Sequence, residues 1–538
     1  MDSGVKKWIL WIATRTITLA MTANAQKLES TCKNAKIPYN FYITSAVLMN
    51  MDKNKDSKAC DSASAESVDS KETSPSGERY PLFSKEAALC HADKSAGKKM
   101  DSRIYDEKSL LCARVQGCIL EVCNRSTSEA QSTSKAKSPQ AQKIPLIDLR
   151  AQYHILKHEL DSAITSVLHS QHFILGEHAR ALESELAEFV GRRFCITCSS
   201  GTSALLLALL ALDIGVGDEV ITPSFSFISA AEMVAFIGAK PVFVDICPHT
   251  YTLDPAQVSA KISPRTKAII PVCLFGQPYD VSALAQVAGA IPIIEDGAQS
   301  FGSKILEESE RRSGSFGTLS ITSFFPSKPL GGYGDGGAVF CDDEKLAQNL
   351  AHLRNHGQAS KYHHSMLGLN ARLDELQCAI LRVKLRHFTR ELALREQVAA
   401  RYYTLLKPLQ SSLALPYIAL NRTSVFAQFC LRTLESSKPY TLEINPNSKH
   451  LESSLASSST IVRDQITSAL NAQGIATAIH YPKPLHLQEA FSYLGYKQGD
   501  FPISERVSQE IFSIPFSPYL TTEAQEHIAK ALYATITQ

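Results

Sequence analysis

Residues 322–338, TSFFPSKPLGGYGDGGA, join a β-branched and aromatic run to a second apolar run, AVFC, through a glycine-dense turn. Lys328 stands where the first run gives way to the turn. A lysine amine attacks a carbonyl only when unprotonated, so it needs partly desolvated surroundings that lower its pKa, and glycines let a flat ring approach the backbone. This is a place where a lysine can hold an aldehyde cofactor. Most lysines are solvated surface charges, so the reading depends on what the flanking chain supplies.

Outward from that stretch, short apolar runs alternate with helical patterns: FCITC, EVITP, PVFVDI, AIIPVCLF, IPIIED, LSITSFF and AVFC. Buried strands separated by helices imply an α/β fold with a mostly parallel sheet covered on both faces, and a ligand site at the carboxyl ends of the strands. The pattern begins near Ile144. Tyr153, Leu156, Leu160, Ile164 and Val167 recur at helical spacing, as do Leu182, Leu186 and Phe189. The expected division is an N-terminal extension over 1–143, a large domain over 144–396 and a smaller α+β domain over 397–538 carrying a Ser-rich insertion at 435–459.

The extension differs in kind. Residues 53–78 and 126–143 are Ser-, Lys- and acid- or Gln-rich, with too little apolar surface to offset chain entropy. Lys6 and Lys7 precede WILWIA, and Ala23-Asn24-Ala25 resembles a cleavage site, but Arg15 interrupts the apolar stretch, which weighs against export. No run reaches the roughly 18 apolar residues of a membrane span. The 538-residue chain carries a net charge of +2 with 44% hydrophobic residues, so nothing in its charge points to nucleic acid. Of its 13 cysteines, six precede residue 124 and the others are scattered through apolar runs, as expected of buried reduced thiols. Cys195 and Cys198 form a lone CxxC on a strand, without a second pair to complete a metal site.

Asp296 ends the run IPIIED. A carboxylate at the end of a buried strand is costly unless something cationic meets it. A protonated pyridine nitrogen would gain about 4 kcal/mol at about 4 Å with an effective dielectric near 20; the bland alternative is a turn cap. Gly201, Thr202 and Ser203 open the apolar helix ALLLALLAL, whose free amides and positive end make an anion seat or, equally, an ordinary cap. Ser323, five residues before the lysine, adds a further hydroxyl.

Other patterns are decoys. Gly332, Gly334 and Gly337 satisfy GxGxxG, yet the motif runs into a strand instead of opening a helix. The lysine follows serine, so no Walker loop is completed. His480 and His486 lie in IHYPKPLH without a third ligand, which suits a polar pocket or a loop better than a metal. Asn124 and Asn421 begin glycosylation sequons, which carry no meaning in a cytosolic protein.

Together, SGTSAL at 200–205, GDEVITPSFSFISAAE at 217–232, EDGAQSFG at 295–302, TSFFPSK at 322–328, RNHG at 354–357 and LNARLDELQ at 369–377 resemble the DegT/DnrJ/EryC1/StrS family of sugar aminotransferases. The resemblance runs from about residue 144 to the C-terminus. It implies the fold type I architecture of pyridoxal-phosphate enzymes, a homodimer with shared sites and pyridoxal 5'-phosphate as cofactor. Position by position, it implies Lys328 as the Schiff-base lysine, Asp296 as the pyridinium partner and Gln299 beside the ring hydroxyl. Phe227 would stack on the ring. Gly201, Thr202, Ser203 and Ser323 would hold the phosphate, with Asn370 reaching it from the neighbouring subunit.

The same resemblance implies amino transfer from glutamate to a keto nucleotide sugar. The wording of residues 324–338 and GQASKYHH at 357–364 is most similar to the branch acting at C3 of UDP-2-acetamido-2-deoxy-3-oxo-glucuronate, on the way to bacterial surface polysaccharide. Such a substrate calls for cationic and hydrogen-bonding groups: His363, His364, Arg372, His480 and Tyr481 are the candidates. The alternatives are a 4-aminotransferase for a 4-keto-6-deoxy nucleotide sugar and a catalytically silent pyridoxal-phosphate regulator. Access to glutamate and nucleotide sugars favours the cytoplasm.

Overall fold

Each of the seven apolar runs forms a strand, because each is long enough to cross a covered sheet and is bounded by turn residues. In the computed structural model they are β1 Phe194–Cys198, β2 Glu219–Pro223, β3 Lys240–Val244, β4 Thr266–Ile269 and β5 Ile294–Asp296, then, beyond a hairpin of β6 Lys304–Leu306 and β7 Glu310–Arg312, β8 Leu319–Ser323 and β9 Gly337–Cys341. The structure describes residues 143–306, 310–434 and 458–537, all within one compact unit, Ser128–Gln538. The leader, the first sequon and most of the Ser-rich stretch lie outside the described residues.

β2 pairs in parallel with β3 and β4, and β5 in parallel with β8. β9 runs antiparallel between β8 and β1. Parallel bridges from Ile269 to Ile293 and from Val272 to Asp296 join the two groups, giving the order β3-β2-β4-β5-β8-β9-β1. Since β9 is reversed, its first residue meets the edge where its neighbours end: Gly337 is opposite both Cys198 and Ser323.

The helices of the sheet's surroundings are α1 Leu149–Ser170, α2 Glu177–Val190, α3 Gly201–Ala211, α4 Ser229–Phe236, α5 Pro255–Val258, α6 Val281–Ala288, α7 Glu344–Arg354 and α8 Glu375–Leu406. α1 starts at Asp148, whose carboxylate accepts from the amides of Arg150 and Ala151 at 3.0 Å each. Strand alternation sorts the core into two layers. Val339 and Cys341 of β9 pack with Ile196, Leu319, Ile321 and the leucines of α3. Ala338 and Phe340 face the other way, against Phe301, Phe324 and residues of α2 and α8. Phe301 stacks on Phe340 and Phe388 with ring centroids 6.1 and 5.8 Å apart, so Phe301→Ala would remove the centre of that layer at about 3–5 kcal/mol. Beyond its first turn α3 is apolar on every side: Leu205, Leu207 and Leu209 are buried in the core, while Leu206 and Leu210 are partly buried.

Beyond the sheet, β10 Gln358–Ser360 and β11 His363–His364 form an exposed hairpin. The C-terminal part adds β12 Leu413–Ala414, β13 Phe429–Thr433, α9 Ser458–Ala472, α10 Pro502–Glu510, β14 Ile511–Ile514 and α11 Thr522–Thr537. It has its own core, in which Tyr402 and Phe429 meet at 4.9 Å. α8 carries the chain unbroken from the sheet layer into this second core, with Cys378 and Leu381 in one and Val398 and Leu406 in the other. The cysteines of the described residues are free, and all but Cys247 are buried; among those residues no helix is long and apolar enough to cross a membrane.

Candidate active site

Three strand ends converge at one edge of the sheet. β5 ends at Asp296, β8 at Ser323, and β1 leads through Ser199 and Ser200 into α3. Asp296 is 7% exposed. One of its oxygens accepts from the Ala298 amide at 3.1 Å, and the other has no donor among the described residues. Burial pushes this carboxyl above the usual carboxylate range, opposed in part by the Ala298 amide and the positive charge of Lys328.

Lys328 follows β8 on a turn closed by its own amide donating to the Phe325 carbonyl at 2.8 Å. Burial holds its amine below the ordinary lysine value, and Asp296 pulls it back up. His480 belongs to the same pocket: burial, then the charge of Lys328, keep its imidazole below the ordinary value. Its Nδ1 lies 2.9 Å from Ser513 Oγ on β14. The main-chain pairing of Ala478 with Ser513 brings this segment of the C-terminal part to the sheet edge.

The helix end leaves two of its amides free. Ser200 caps α3 by accepting from the Ser203 amide at 3.0 Å, and Ala204 donates to the Ser200 carbonyl. The amides of Gly201 and Thr202 have no partner among the described residues. Hydroxyls surround them: Ser203 Oγ lies 2.9 Å from Ser199 Oγ and 3.0 Å from Ser200 Oγ, and Thr202 Oγ1 lies 3.1 Å from Ser229 Oγ. Close packing leaves no room for a side chain at either glycine of this corner. A Cβ at Gly201 would stand 2.7 Å from Ser323 Cβ, and one at Gly337 would stand 2.5 Å from the Ser200 carbonyl group.

The pocket wall is aromatic and amide. Gln299 accepts from the Phe275 amide at 2.8 Å and donates to the Tyr481 hydroxyl at 3.2 Å. Tyr481 packs on Phe225 and Phe227 with centroids 6.0 and 6.2 Å apart. Burial raises its hydroxyl's pKa well above the usual phenol value. Phe227 is 54% exposed and presents a free face.

Arg372 lies on the rim. Its Nη1 donates to Asn355 Oδ1 at 2.7 Å, and it shares a cleft of about 460 Å³ with Ser199, Ser200, Asp335 and Gln377. Asn370 is exposed and bridges to Asn355. His363 and His364 are exposed on the β10–β11 hairpin, where His364 Nδ1 lies 2.8 Å from the His356 carbonyl. His486 lies elsewhere, 3.0 Å from Glu505 and against Phe501.

Three contributors were not singled out by the sequence reading. Ser229 opens α4 and faces Thr202; its place at a helix start was the available signal. Asn355 orients Arg372, and its place within RNHG marked it without giving a role. Glu295, fully buried beside Asp296, accepts from Ser313 Oγ at 2.6 Å and from the amides of Gly314 and Phe316 at 3.0 Å. Strand alternation turns it to the face opposite Asp296.

The DegT/DnrJ/EryC1/StrS aminotransferase family model matches residues 154–533. The chain is 43% identical over 391 residues to a UDP-2-acetamido-2-deoxy-3-oxo-D-glucuronate aminotransferase of Pseudomonas aeruginosa, covering 72% of this chain and 99% of the relative. It is 40% identical over 392 residues to a pleiotropic regulatory protein of Geobacillus stearothermophilus, covering 72% and 97%. Among solved structures it is similar to S. venezuelae DesV in complex with a ketimine intermediate, at 36% identity and a TM-score of 0.66 over 74% of this chain and 99% of that one.

Proposed function

Because the chain belongs to the DegT/DnrJ/EryC1/StrS aminotransferase family, we propose that its pyridoxal-phosphate chemistry runs on Lys328 and Asp296 and delivers an amino group from glutamate to C3 of UDP-2-acetamido-2-deoxy-3-oxo-glucuronate. The protein is a pyridoxal-phosphate-dependent sugar aminotransferase of fold type I. The observation that carries the residue assignment is that Lys328 stands within electrostatic reach of the buried Asp296, at the sheet edge where α3 presents two free amides.

The residues fit the cofactor. The unpartnered amides of Gly201 and Thr202, with the hydroxyls of Ser203 and Ser323, suit a phosphate. The undonated oxygen of Asp296 suits a protonated ring nitrogen, the open face of Phe227 suits a flat ring, and Gln299 suits its hydroxyl. Asn370 would reach the phosphate from a second copy of the chain, in a homodimer with shared sites.

When bound, pyridoxal phosphate supplies an aldehyde that takes up the amino group and a ring that withdraws electrons from the carbon bearing it. Lys328 would hold that aldehyde, and its Nζ, when free, would move a proton at the donor's α-carbon. A lowered pKa keeps a larger share of this amine neutral and ready to accept. Asp296 holds the proton on the ring nitrogen. His363, His364, Arg372, His480 and Tyr481 are assigned to the carboxylate and diphosphate of the sugar. The similarity to the Pseudomonas relative supports the 3-oxo-uronate over a 4-keto-6-deoxy sugar, and dependence on glutamate and nucleotide sugars supports the cytoplasm.

Incubation of purified protein with glutamate and each keto sugar, read by mass spectrometry and NMR, identifies the carbon that gains nitrogen. Nitrogen at C4 overturns the substrate assignment. The regulator reading is favoured by the name of the Geobacillus relative; glutamate-dependent turnover excludes a silent protein. Lys328→Ala abolishes the change in visible absorbance on adding glutamate, and an unchanged response removes the lysine from the mechanism.

A further inference from the structure

The glycine turn after Lys328 is held from outside by one face of α8. Lys384 is 2% exposed, yet its ammonium donates to the Gly331 carbonyl and lies 4.9 Å from the centre of the Tyr333 ring. Two helical turns earlier, on the same face, Gln377 accepts from the Tyr333 amide at 2.8 Å. Its side chain fills the space beside Gly332 and Gly334, where a Cβ would stand 2.9 and 3.2 Å from it. A lysine is rarely buried without a partner carboxylate in contact. Here its ligands are a carbonyl and an aromatic face, both from the turn.

The turn in its other direction folds onto the lysine's own segment. The Gly332 amide donates to the Phe324 carbonyl at 2.7 Å, the Phe324 amide donates to Gly336 at 2.7 Å, and a Cβ on Gly331 would stand 2.4 Å from the Pro326 carbonyl oxygen. Residues 324–336 therefore form a closed loop, and Lys384 and Gln377 tie it to a helix that is itself packed into the sheet layer.

We propose that Lys384 and Gln377 are positioning residues that set the place of the Lys328 amine relative to Asp296 through the Gly331–Gly334 turn. This rests on the reading of Lys328 as the cofactor-holding residue. Gln377 borders the cleft of Arg372 and Lys384 lies behind the turn, and the inference places their effect on the geometry of proton transfer and not on the binding of glutamate; a displacement of about 1 Å there is worth up to roughly 10²-fold in rate.

The test compares wild-type protein, Lys384→Met and Gln377→Met, each saturated with pyridoxal phosphate. Borohydride reduction and peptide mass spectrometry give the rate and extent of covalent capture on Lys328; steady-state kinetics separate kcat from the KM for glutamate; a visible-absorbance titration gives the pH midpoint of the captured form. Both variants are expected to lower kcat by about 10-fold or more with little change in KM, and to slow capture and move the midpoint. Folded variants with wild-type capture, kcat and midpoint overturn the inference alone. Should Lys384→Met fail to fold, Gln377→Met decides by the same readouts. A wild-type protein with no adduct on Lys328 instead overturns the reading beneath it.

Discussion

Gly337→Ala tests the anion seat without touching a group that reacts. The new Cβ would stand 2.5 Å from the carbonyl carbon and oxygen of Ser200 and 2.7 Å from the Gly201 nitrogen. These are backbone atoms, so relief requires the start of α3 to move away from β9 by roughly 1 Å. The Gly201 and Thr202 amides then lose their aim at a bound phosphate. A hydrogen bond to a charged group is worth about 1.5–3 kcal/mol, so loosening both amides costs about 3 kcal/mol or more. That is roughly 10²-fold in the Kd for pyridoxal phosphate. Equilibrium dialysis with free cofactor measures it, and a melting curve of the cofactor-free variant checks that the fold survives. An unchanged Kd in a folded variant would refute the assignment of this helix end to the phosphate.

Three further outcomes follow from the same geometry. Asp296→Asn removes the negative charge that raises the pKa of Lys328, so the rising limb of cofactor capture against pH moves to lower pH, while turnover falls by at least about 10²-fold; a limb that stays or moves upward contradicts the pairing. Glu295→Gln turns an amide donor toward the Ser313 hydroxyl and the Gly314 and Phe316 amides and should destabilise the protein by about 3 kcal/mol, read by denaturant unfolding. Arg372→Lys loses the fixed geometry of the bond to Asn355 and should raise the KM for the nucleotide sugar more than that for glutamate.

The strands were legible because a buried strand in a covered sheet has to be an apolar run between turn residues, and all seven runs became strands. That Lys328, Asp296 and the start of α3 lie at strand ends was legible for a related reason: polar groups at the ends of apolar runs stand out. Glu295 was not, since two consecutive carboxylates differ only in the face they take, and the loop that satisfies Glu295 comes from residues 313–316. Lys384 looks like any lysine on a long helix, and only the approach of Gly331 distinguishes it. The hydrogen bond of Tyr481 to Gln299 depends on the fold of the C-terminal part, which no local pattern reveals. The exposed positions of His363, His364 and Asn370 carry no local signal of what they face.

The reversed direction of β9 has a consequence for variation in this protein. Ser323 and Gly337 are neighbours across the sheet, so the chain that carries Lys328 leaves and returns at a single rim. Slack inserted between them cannot drift to the far side of the sheet; it must arch over the mouth of the pocket. Length changes in that one strap should therefore disturb the seat of Lys328 together with the rim of the pocket, lowering turnover as well as altering which sugars gain entry.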